Sequence, residues 1–252
     1  MSEMGLESQR IDHLVGQDYV RASVLNYFGI QFYDYSEMTL KEVCLARGLN
    51  VEQVVQELER PLSLLEEENL PLVSYPIDLI IEYLKHAHYL FVKRKLPFIS
   101  KLIENFKTEN PSYAAIAKDL RTLFPLFVED FIHHIYQEED TLFSYIHQLE
   151  RARQKGTLNT NLYYLMESHS LQRFSIEHEV HDDEMAGIRR ITNDYHSTSE
   201  TPLHVKVLYC ELTRLEKSLQ THARIENHIL FPKAMTLEGQ VRQLITEKVK
   251  FN

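Results

Sequence analysis

The sequence predicts an all-α protein, in which a small helical N-terminal domain precedes an antiparallel up-down four-helix bundle. Glycine and proline, which interrupt helices, number only seven and eight among 252 residues. Apolar residues recur at steps of three and four over long stretches, which is the period of one helix face. Short breaks separate the four longest of these stretches, and short connections favour antiparallel neighbours.

Two helices with recognisable ends are predicted near the N-terminus. The apolar pattern indicates one helix over residues 11–27, and Gly29 is placed to end it. Thr39, with Glu42 three positions later, has the spacing of a capping box that opens a second helix. Gly48 is placed to close that helix, because glycine readily adopts the left-handed conformation that commonly follows a helix.

A third short helix and a change in composition complete the N-terminal region. Asn50 is a suitable N-cap for this helix, and Pro61 kinks or ends it. The stretch 66–71 is acidic and ends in a proline, so we place the domain boundary there. The sequence thus predicts a small helical domain over residues 1–70 and a bundle domain over residues 71–252, which ends in a short C-terminal helix.

Four long helices and one short helix are predicted in the larger domain. Their approximate ranges are 76–105, 111–153, 158–195, 202–231 and 237–249. Asn110 and Pro111 form an N-cap and first-turn pair for the second helix, and Gly156 breaks the chain after it. Pro232 is expected to end the fourth helix, which leaves the last short helix as an appendage.

The strongest functional signal is a repeated motif. His134-x-x-x-Glu138 is followed by Leu and Phe at positions eight and nine, and His222-x-x-x-Glu226 repeats this pattern 88 residues later. Residues four apart share a helix face, and both motifs continue apolar stripes, so both pairs are expected in the core. A buried carboxylate without a partner is costly, so these groups need one another or a cation. Two helices that each offer His and Glu to one core are typical of a carboxylate-bridged metal pair in a four-helix bundle.

The other two long helices are expected to supply further nitrogen ligands. The first offers His86 and His88, and the apolar pattern favours His88 only weakly. The third offers His178 and His181, which periodicity does not separate. Glu139 is interpreted either as a hydrogen-bond partner of a ligand or as a solvated side chain. The other histidines of the bundle are interpreted as surface groups or as neighbours of the site: His133, His147, His169, His196, His204 and His228.

Three stretches of the bundle resemble the hemerythrin-like iron–sulfur cluster repair di-iron proteins, the RIC (repair of iron centres) family. The two His-x-x-x-Glu motifs are similar to its two signature ligand helices. The stretch from His88 to Pro97 is similar to its first helix, where a His precedes a Leu-Pro turn, and Glu177-His178-Glu179 resembles its third helix. The resemblance implies six metal ligands, of which the two glutamates bridge the metals: His88, His134, Glu138, His178, His222 and Glu226.

The chain departs from this family at two places. The glycine that the family carries a turn after its third-helix His falls here at Gly187, so His181 stays an alternative to His178. The stretch Tyr27–Phe32 resembles the family's N-terminal domain, but Tyr33-Asp34-Tyr35-Ser36 stands where the family usually has Cys-Cys-Gly-Gly. Tyrosine and aspartate cannot replace the redox and iron-binding chemistry of a thiolate pair.

The resemblance implies a non-haem di-iron protein that repairs iron–sulfur clusters damaged by oxidative or nitrosative stress, through iron donation. Imidazole and carboxylate ligands suit Fe, Mn or Zn. Open coordination positions, together with the resemblance, favour two iron ions with carboxylate and oxo bridges. The expected partners are dioxygen, nitric oxide and damaged iron–sulfur proteins. The alternatives are a hemerythrin-like carrier or sensor of dioxygen or nitric oxide, and a di-iron oxidase or peroxidase.

The composition argues against several other partners. The formal net charge of −10 disfavours nucleic acid, because phosphate binding requires clustered Lys and Arg. No apolar run approaches the roughly 20 residues of a membrane-spanning helix, and the polar N-terminus is unlike a signal peptide. Two cysteines, Cys44 and Cys210, are too few for a disulfide framework and suit a reducing cytoplasm.

Overall fold

The computed structural model describes residues 5–60, 72–156, 160–168, 171, 175 and 183–250. Within these ranges the backbone is predominantly helical, which confirms the all-α prediction, and the only strand-like contact there is an isolated bridge between Arg10 and Thr39. None of the helices in these ranges combines the length and the apolarity that a bilayer crossing requires. The up-down order of a four-helix bundle stays a prediction.

The helices are numbered in chain order. They are α1 (Ile11–Gln17), α2 (Arg21–Tyr27), α3 (Leu40–Arg47), α4 (Val51–Glu59), α5 (Ile77–Leu90), α6 (Leu96–Glu104), α7 (Pro111–Gln137), α8 (Ser144–Lys155), α9 (Thr160–Ser168), α10 (Ala186–Ile191), α11 (Leu203–Ile225) and α12 (Phe231–Lys250). Short 3-10 turns cover Leu6–Ser8 and Leu72–Ser74. Three π-helical segments join α-helices end to end: π1 (Phe91–Lys95), π2 (Glu138–Phe143) and π3 (Glu226–Leu230).

The helix caps predicted near the N-terminus are present. The Thr39 hydroxyl accepts a hydrogen bond from the backbone N–H of Glu42, whose carboxylate accepts one from the Thr39 N–H, so α3 opens on a complete capping box. Gly48 follows α3 in the left-handed conformation, with a φ of 66°. The Asn50 side chain accepts a hydrogen bond of 2.9 Å from the backbone N–H of Gln53 and opens α4.

The prediction of a single helix over residues 11–27 is wrong. The chain forms α1 and α2 instead, separated by a break at Asp18, whose backbone is extended with a φ of −152°. The Asp18 carboxylate accepts a hydrogen bond of 3.1 Å from the backbone N–H of Val20. This local bond offers the backbone an alternative to the helical pattern. Gly29 ends the region with a φ of 75°, as predicted.

The chain forms two compact units. Unit 1 consists of the described residues of Met1–Leu70, Lys95–Leu123 and Ile188–Leu215. Unit 2 consists of the described residues of Pro71–Arg94, Phe124–Gly187 and Glu216–Asn252. The two predicted domains follow composition along the chain rather than packing in space, and the boundary between them stays a prediction.

Unit 1 surrounds the imidazole of His204 with aromatic rings. The Nε2–H of His204 donates a hydrogen bond of 2.7 Å to the carbonyl of Leu102. The rings of Phe32, Tyr33 and Phe106 lie 5.2–5.6 Å from its ring centroid. Desolvation lowers the pKa of His204, and the bond to Leu102 opposes this shift. His204 is therefore a packing residue of unit 1, contrary to its interpretation from sequence.

The predicted end of the fourth helix at Phe231–Pro232 is wrong, and so is a separate helix over 237–249. Instead, α11 passes through π3 into α12, which continues to Lys250. Pro232 is the second residue of α12, and Pro97 is likewise the second residue of α6, directly after π1. Proline is tolerated in the first turn of an α-helix, where its missing N–H leaves no hydrogen bond unmade. The chain therefore turns at neither proline.

The second long helix agrees with the prediction over most of its length. The predicted range 111–153 corresponds to α7, π2 and α8, and Gly156 follows in the left-handed conformation, with a φ of 59°. Asn110 is the N-cap of α7, as predicted, because its side chain accepts a hydrogen bond of 3.0 Å from the backbone N–H of Ser112.

The third long helix is described only in part. Of the predicted range 158–195, the structure describes 160–168, 171, 175 and 183–195, which include α9 and α10. The helix α10 ends at Ile191, earlier than predicted, and three residues beyond it have positive φ angles of 52–57°: Asn193, Asp194 and Tyr195. Three histidines of this region lie outside the described residues: His169, His178 and His181.

The apolar part of the repeated motif forms the centre of unit 2. Leu142 and Phe143 of the first copy and Leu230 and Phe231 of the second are at most 1% exposed. They belong to one cluster with residues of α5, α8, α9 and α12, among them Ile81, Leu84, Ile146, Leu149, Leu162, Met166, Leu237 and Val241. This core holds the two motif helices and α5 around the same point.

Candidate metal centre

Both copies of the repeated motif change to π-helical geometry at the glutamate. Glu138 is the first residue of π2, and Glu226 is the first residue of π3. The first bundle helix changes in the same way three residues after His88, because π1 begins at Phe91. Such segments are rare in helices and occur frequently at functional sites. The sequence repeat is thus also a repeat of backbone geometry around the candidate ligands.

Four buried side chains converge within unit 2. They are the imidazoles of His88 and His222 and the carboxylates of Glu138 and Glu226, and one ligand atom from each lies within 4.8 Å of the others. The two histidines are 2% and 7% exposed, and the two glutamates are 5% and 0% exposed. Two carboxylates removed from water are costly unless a positive charge accompanies them. The cluster therefore has the charge and the burial of a cation site.

The separations within the cluster fit donors to a common ion. Nε2 of His88 lies 3.0 Å from Nε2 of His222 and 3.3 Å from Oε2 of Glu138. Nε2 of His222 lies 3.3 Å from Oε1 of Glu226. Ligand atoms that each lie about 2.0–2.2 Å from one ion are themselves about 3 Å apart. Imidazole and carboxylate donors of this kind suit Fe, Mn or Zn.

His134 joins the cluster through Glu138. Its Nε2 lies 3.0 Å from Oε1 of Glu138, while Oε2 of the same carboxylate faces His88. The His134 side chain is 28% exposed, so it lies at the edge of the cluster. One carboxylate thus has its two oxygen atoms directed at two different imidazoles.

Glu139 fixes the orientation of His88. Nδ1 of His88 lies 2.8 Å from Oε1 of Glu139, and a carboxylate only accepts hydrogen bonds, so Nδ1 carries the proton. The lone pair of the neutral ring is then on Nε2, which faces the other candidate ligands. Carboxylates hold metal-binding histidines in this way in many metal sites. The sequence permits two interpretations of Glu139, and its contact with His88 supports the one in which it is a hydrogen-bond partner of a candidate ligand.

Aromatic rings cover the two buried imidazoles. The ring of Phe143 lies parallel to that of His88, with centroids 5.9 Å apart and an interplanar angle of 7°. The ring of Phe91 meets that of His222 edge to face at 5.8 Å. These contacts hold the imidazoles in place and keep water away from them.

A pocket within unit 2 reaches the cluster from one side. Three candidate ligands line it: His134, His222 and Glu226. Phe131 and three acidic residues line it as well: Asp183, Glu184 and Glu216. A negatively charged lining attracts cations, so this pocket is a suitable approach for a metal ion.

The structure thus brings together five of the six predicted site residues, while His178 lies outside the described residues. His88 lies in the cluster, whereas His86 is exposed. The apolar pattern of the sequence favoured His88 over His86 only weakly. His133, His196 and His228 are exposed, as interpreted, and the half-buried His147 pairs with Asp78 at 3.1 Å.

A helical chain with imidazoles and carboxylates gathered in its core has the fold and site of a cation-binding helical protein. Residues 79–234, more than half of the chain, match the family described as the hemerythrin HHE cation binding domain. The chain belongs to this family.

Two named relatives extend the similarity over most of the chain. Iron-sulfur cluster repair protein ScdA of Staphylococcus haemolyticus (strain JCSC1435) is 20% identical over 216 residues, which cover 84% of this chain and 91% of that protein. Iron-sulfur cluster repair protein YtfE of Escherichia coli O157:H7 is 25% identical over 223 residues, which cover 86% of this chain and 93% of that protein. Both aligned stretches are longer than residues 71–252, so the similarity extends into the N-terminal region.

Proposed function

We propose that this protein holds two iron ions and takes part in the repair of iron–sulfur clusters damaged by oxidative or nitrosative stress. The observation that carries the proposal is the buried convergence of His88, Glu138, His222 and Glu226. The relatives ScdA and YtfE are named iron-sulfur cluster repair proteins, which supports the same function here. Damaged iron–sulfur proteins would then be the partners. The chain has only two cysteines, Cys44 and Cys210, which accords with a reducing, cytoplasmic location.

The proposed ligands of the two irons are His88, His134, Glu138, His178, His222 and Glu226. Glu138 supports a two-metal site, because its two oxygen atoms face His88 and His134 separately and can therefore bridge two ions. Glu226 holds the equivalent position in the second motif. His178 enters the set through the family resemblance, with His181 as its alternative.

The side chains around the site have distinct roles in this proposal. Bound iron supplies the capacity to change oxidation state and to bind dioxygen or nitric oxide. Glu138 and Glu226 offset the positive charge, and Glu139 keeps Nε2 of His88 directed at the site. Phe91 and Phe143 exclude water from the two buried imidazoles. The pocket beside His134 and Glu226 gives small diatomic molecules a route to the site.

The first test is the metal content of protein purified without air. We expect about two irons per chain, as in other carboxylate-bridged bundles. The iron-loaded protein is then expected to restore an iron–sulfur dehydratase that nitric oxide has inactivated, whereas the metal-free protein is not. One zinc ion per chain, or none of either metal, would contradict the di-iron site. A loaded protein that leaves the dehydratase inactive would contradict the repair function.

A second candidate function is reversible binding or sensing of dioxygen or nitric oxide. The segment Tyr33–Ser36 favours it, because this segment has no cysteine pair and Tyr33 packs on His204 instead. Optical changes that reverse when the gas is removed, without loss of iron, would favour this function. Loss of iron to a damaged client would favour repair.

Replacing Glu139 by glutamine is expected to weaken the binding of ferrous iron by about 10–100-fold, the range typical of residues that orient metal ligands. The charged acceptor for the Nδ1–H of His88 is then lost, while the six proposed ligands remain. Competition with a coloured chelator measures the affinity. Glu129→Gln, at an exposed position of α7, is the matched control and should bind iron as the unaltered protein does. Equal affinities for both variants would show that Glu139 does not position His88.

A further inference from the structure

A second opening of unit 2 has a basic lining. It is an open cleft between α5, π2, α8 and α9, and it shares no lining residue with the pocket beside His134 and Glu226. Three basic side chains line it: Lys85 of α5, and Arg151 and Lys155 of α8. Glu139 is the carboxylate in its lining.

Two cations of the cleft lie on one face of α8. Arg151 and Lys155 are four residues apart, a spacing at which like charges repel. Elsewhere in the lining, Nδ1 of His147 lies 3.1 Å from Asp78, and Lys85 lies 3.7 Å from Glu82.

The remaining cations of the cleft are Arg151 and Lys155. Among the residues that the structure describes, neither forms an ion pair, although the chain has a net charge of −10. Both side chains are exposed. In a chain with ten more acidic than basic residues, two cations that line the same cleft without an ion-pair partner in the described ranges indicate a site for a negatively charged group.

The rest of the lining is also suited to a small ligand. The Ser144 hydroxyl and the Gln148 amide can donate further hydrogen bonds. Arginine binds carboxylate and phosphate groups through two parallel hydrogen bonds, and lysine binds them as a point charge. Because the cations come from two helices, a ligand with several negative groups can contact them together.

We propose that this cleft binds a small multivalent anion through its carboxylate or phosphate groups. The anion contacts Arg151 and Lys155 on one wall and Lys85 on the other. It also lies beside the metal centre, because Glu139 both lines the cleft and bonds to His88. The cleft thus provides an anion site next to the proposed iron site, on a surface distinct from the acidic pocket.

The test is isothermal titration of the iron-loaded protein with inorganic phosphate and, separately, with tricarballylate, a tricarboxylate. Potassium chloride holds the ionic strength constant, so that a change in the screening of surface charges does not contribute to the measured heat. We expect saturable binding of at least one probe, and the stronger of the two identifies phosphate or carboxylate as the preferred group. Absence of saturable binding for both probes overturns the proposal.

The variant with Arg151→Gln and Lys155→Gln is expected to bind the preferred probe at least about tenfold more weakly, since two charge-assisted contacts are lost. The control variant carries Lys41→Gln and Lys118→Gln, at two exposed positions of unit 1, and should bind as the unaltered protein does. The proposal is overturned if both variants bind the probe equally weakly, or if neither variant binds it more weakly than the unaltered protein does. The iron content of all three proteins is measured as well and should be the same. A low iron content in the unaltered protein would contradict the di-iron proposal but not the anion site.

Discussion

Replacing Glu226 by alanine is expected to remove most of the bound iron. Glu226 is fully buried and lies 3.3 Å from His222, and its loss removes one of the four converging ligands. The loss of affinity should exceed the about 10–100-fold that is typical when a residue behind a ligand is removed. Elemental analysis of protein purified without air should then find less than half of the iron of the unaltered protein.

The control for this substitution is Glu247→Ala, which removes an exposed glutamate from α12 of unit 2. It changes the net charge by the same amount and should leave the iron content unchanged. Circular dichroism of both variants shows whether the helices are retained. Wild-type iron content in a folded Glu226→Ala variant would contradict the assignment of Glu226 as a ligand.

The parts of the fold that the sequence predicts correctly depend on neighbours in the chain. The capping box of Thr39 and Glu42 and the left-handed conformation of Gly48 each depend on residues within one turn of α3. The local sequence is therefore sufficient to predict them. The repeated His-x-x-x-Glu motif is of the same kind, because a spacing of four places both side chains on one helix face.

The parts that the sequence does not predict depend on distant contacts. The π segments begin at Phe91, Glu138 and Glu226, close to the candidate ligands, and helical periodicity does not reveal them. They also explain why Pro232 continues a helix that a proline is expected to end. Similarly, Glu139 adjoins Glu138 in sequence, but only the placement of α5 shows that its carboxylate meets His88. The adjacency of Glu139 to the candidate ligand Glu138 is the only sequence signal that points to such a partner here.

The second large expected effect concerns the stability of the protein without metal. A variant in which His222 and Glu226 are both replaced by leucine is expected to be more stable than the metal-free unaltered protein, by about 1–4 kcal/mol. The pair is at most 7% exposed, so folding removes a carboxylate and an imidazole from water. Apolar side chains of similar volume avoid that desolvation, and replacing buried ion pairs in this way is often neutral or stabilising. Urea unfolding of both proteins with excess chelator measures the difference.

The same two proteins are also compared after iron is added. Iron that binds only the folded state raises the stability of the unaltered protein, while the double-leucine variant should respond much less, because it lacks two of the proposed ligands. A control with His228→Leu and Glu247→Leu, both exposed, should change the stability by no more than about 0.5 kcal/mol. If the double-leucine variant is instead less stable than the metal-free protein, His222 and Glu226 stabilise the core without a cation. A buried pair that costs stability until iron is bound is expected of a binding site, whereas a pair that stabilises the empty core is expected of a structural bundle.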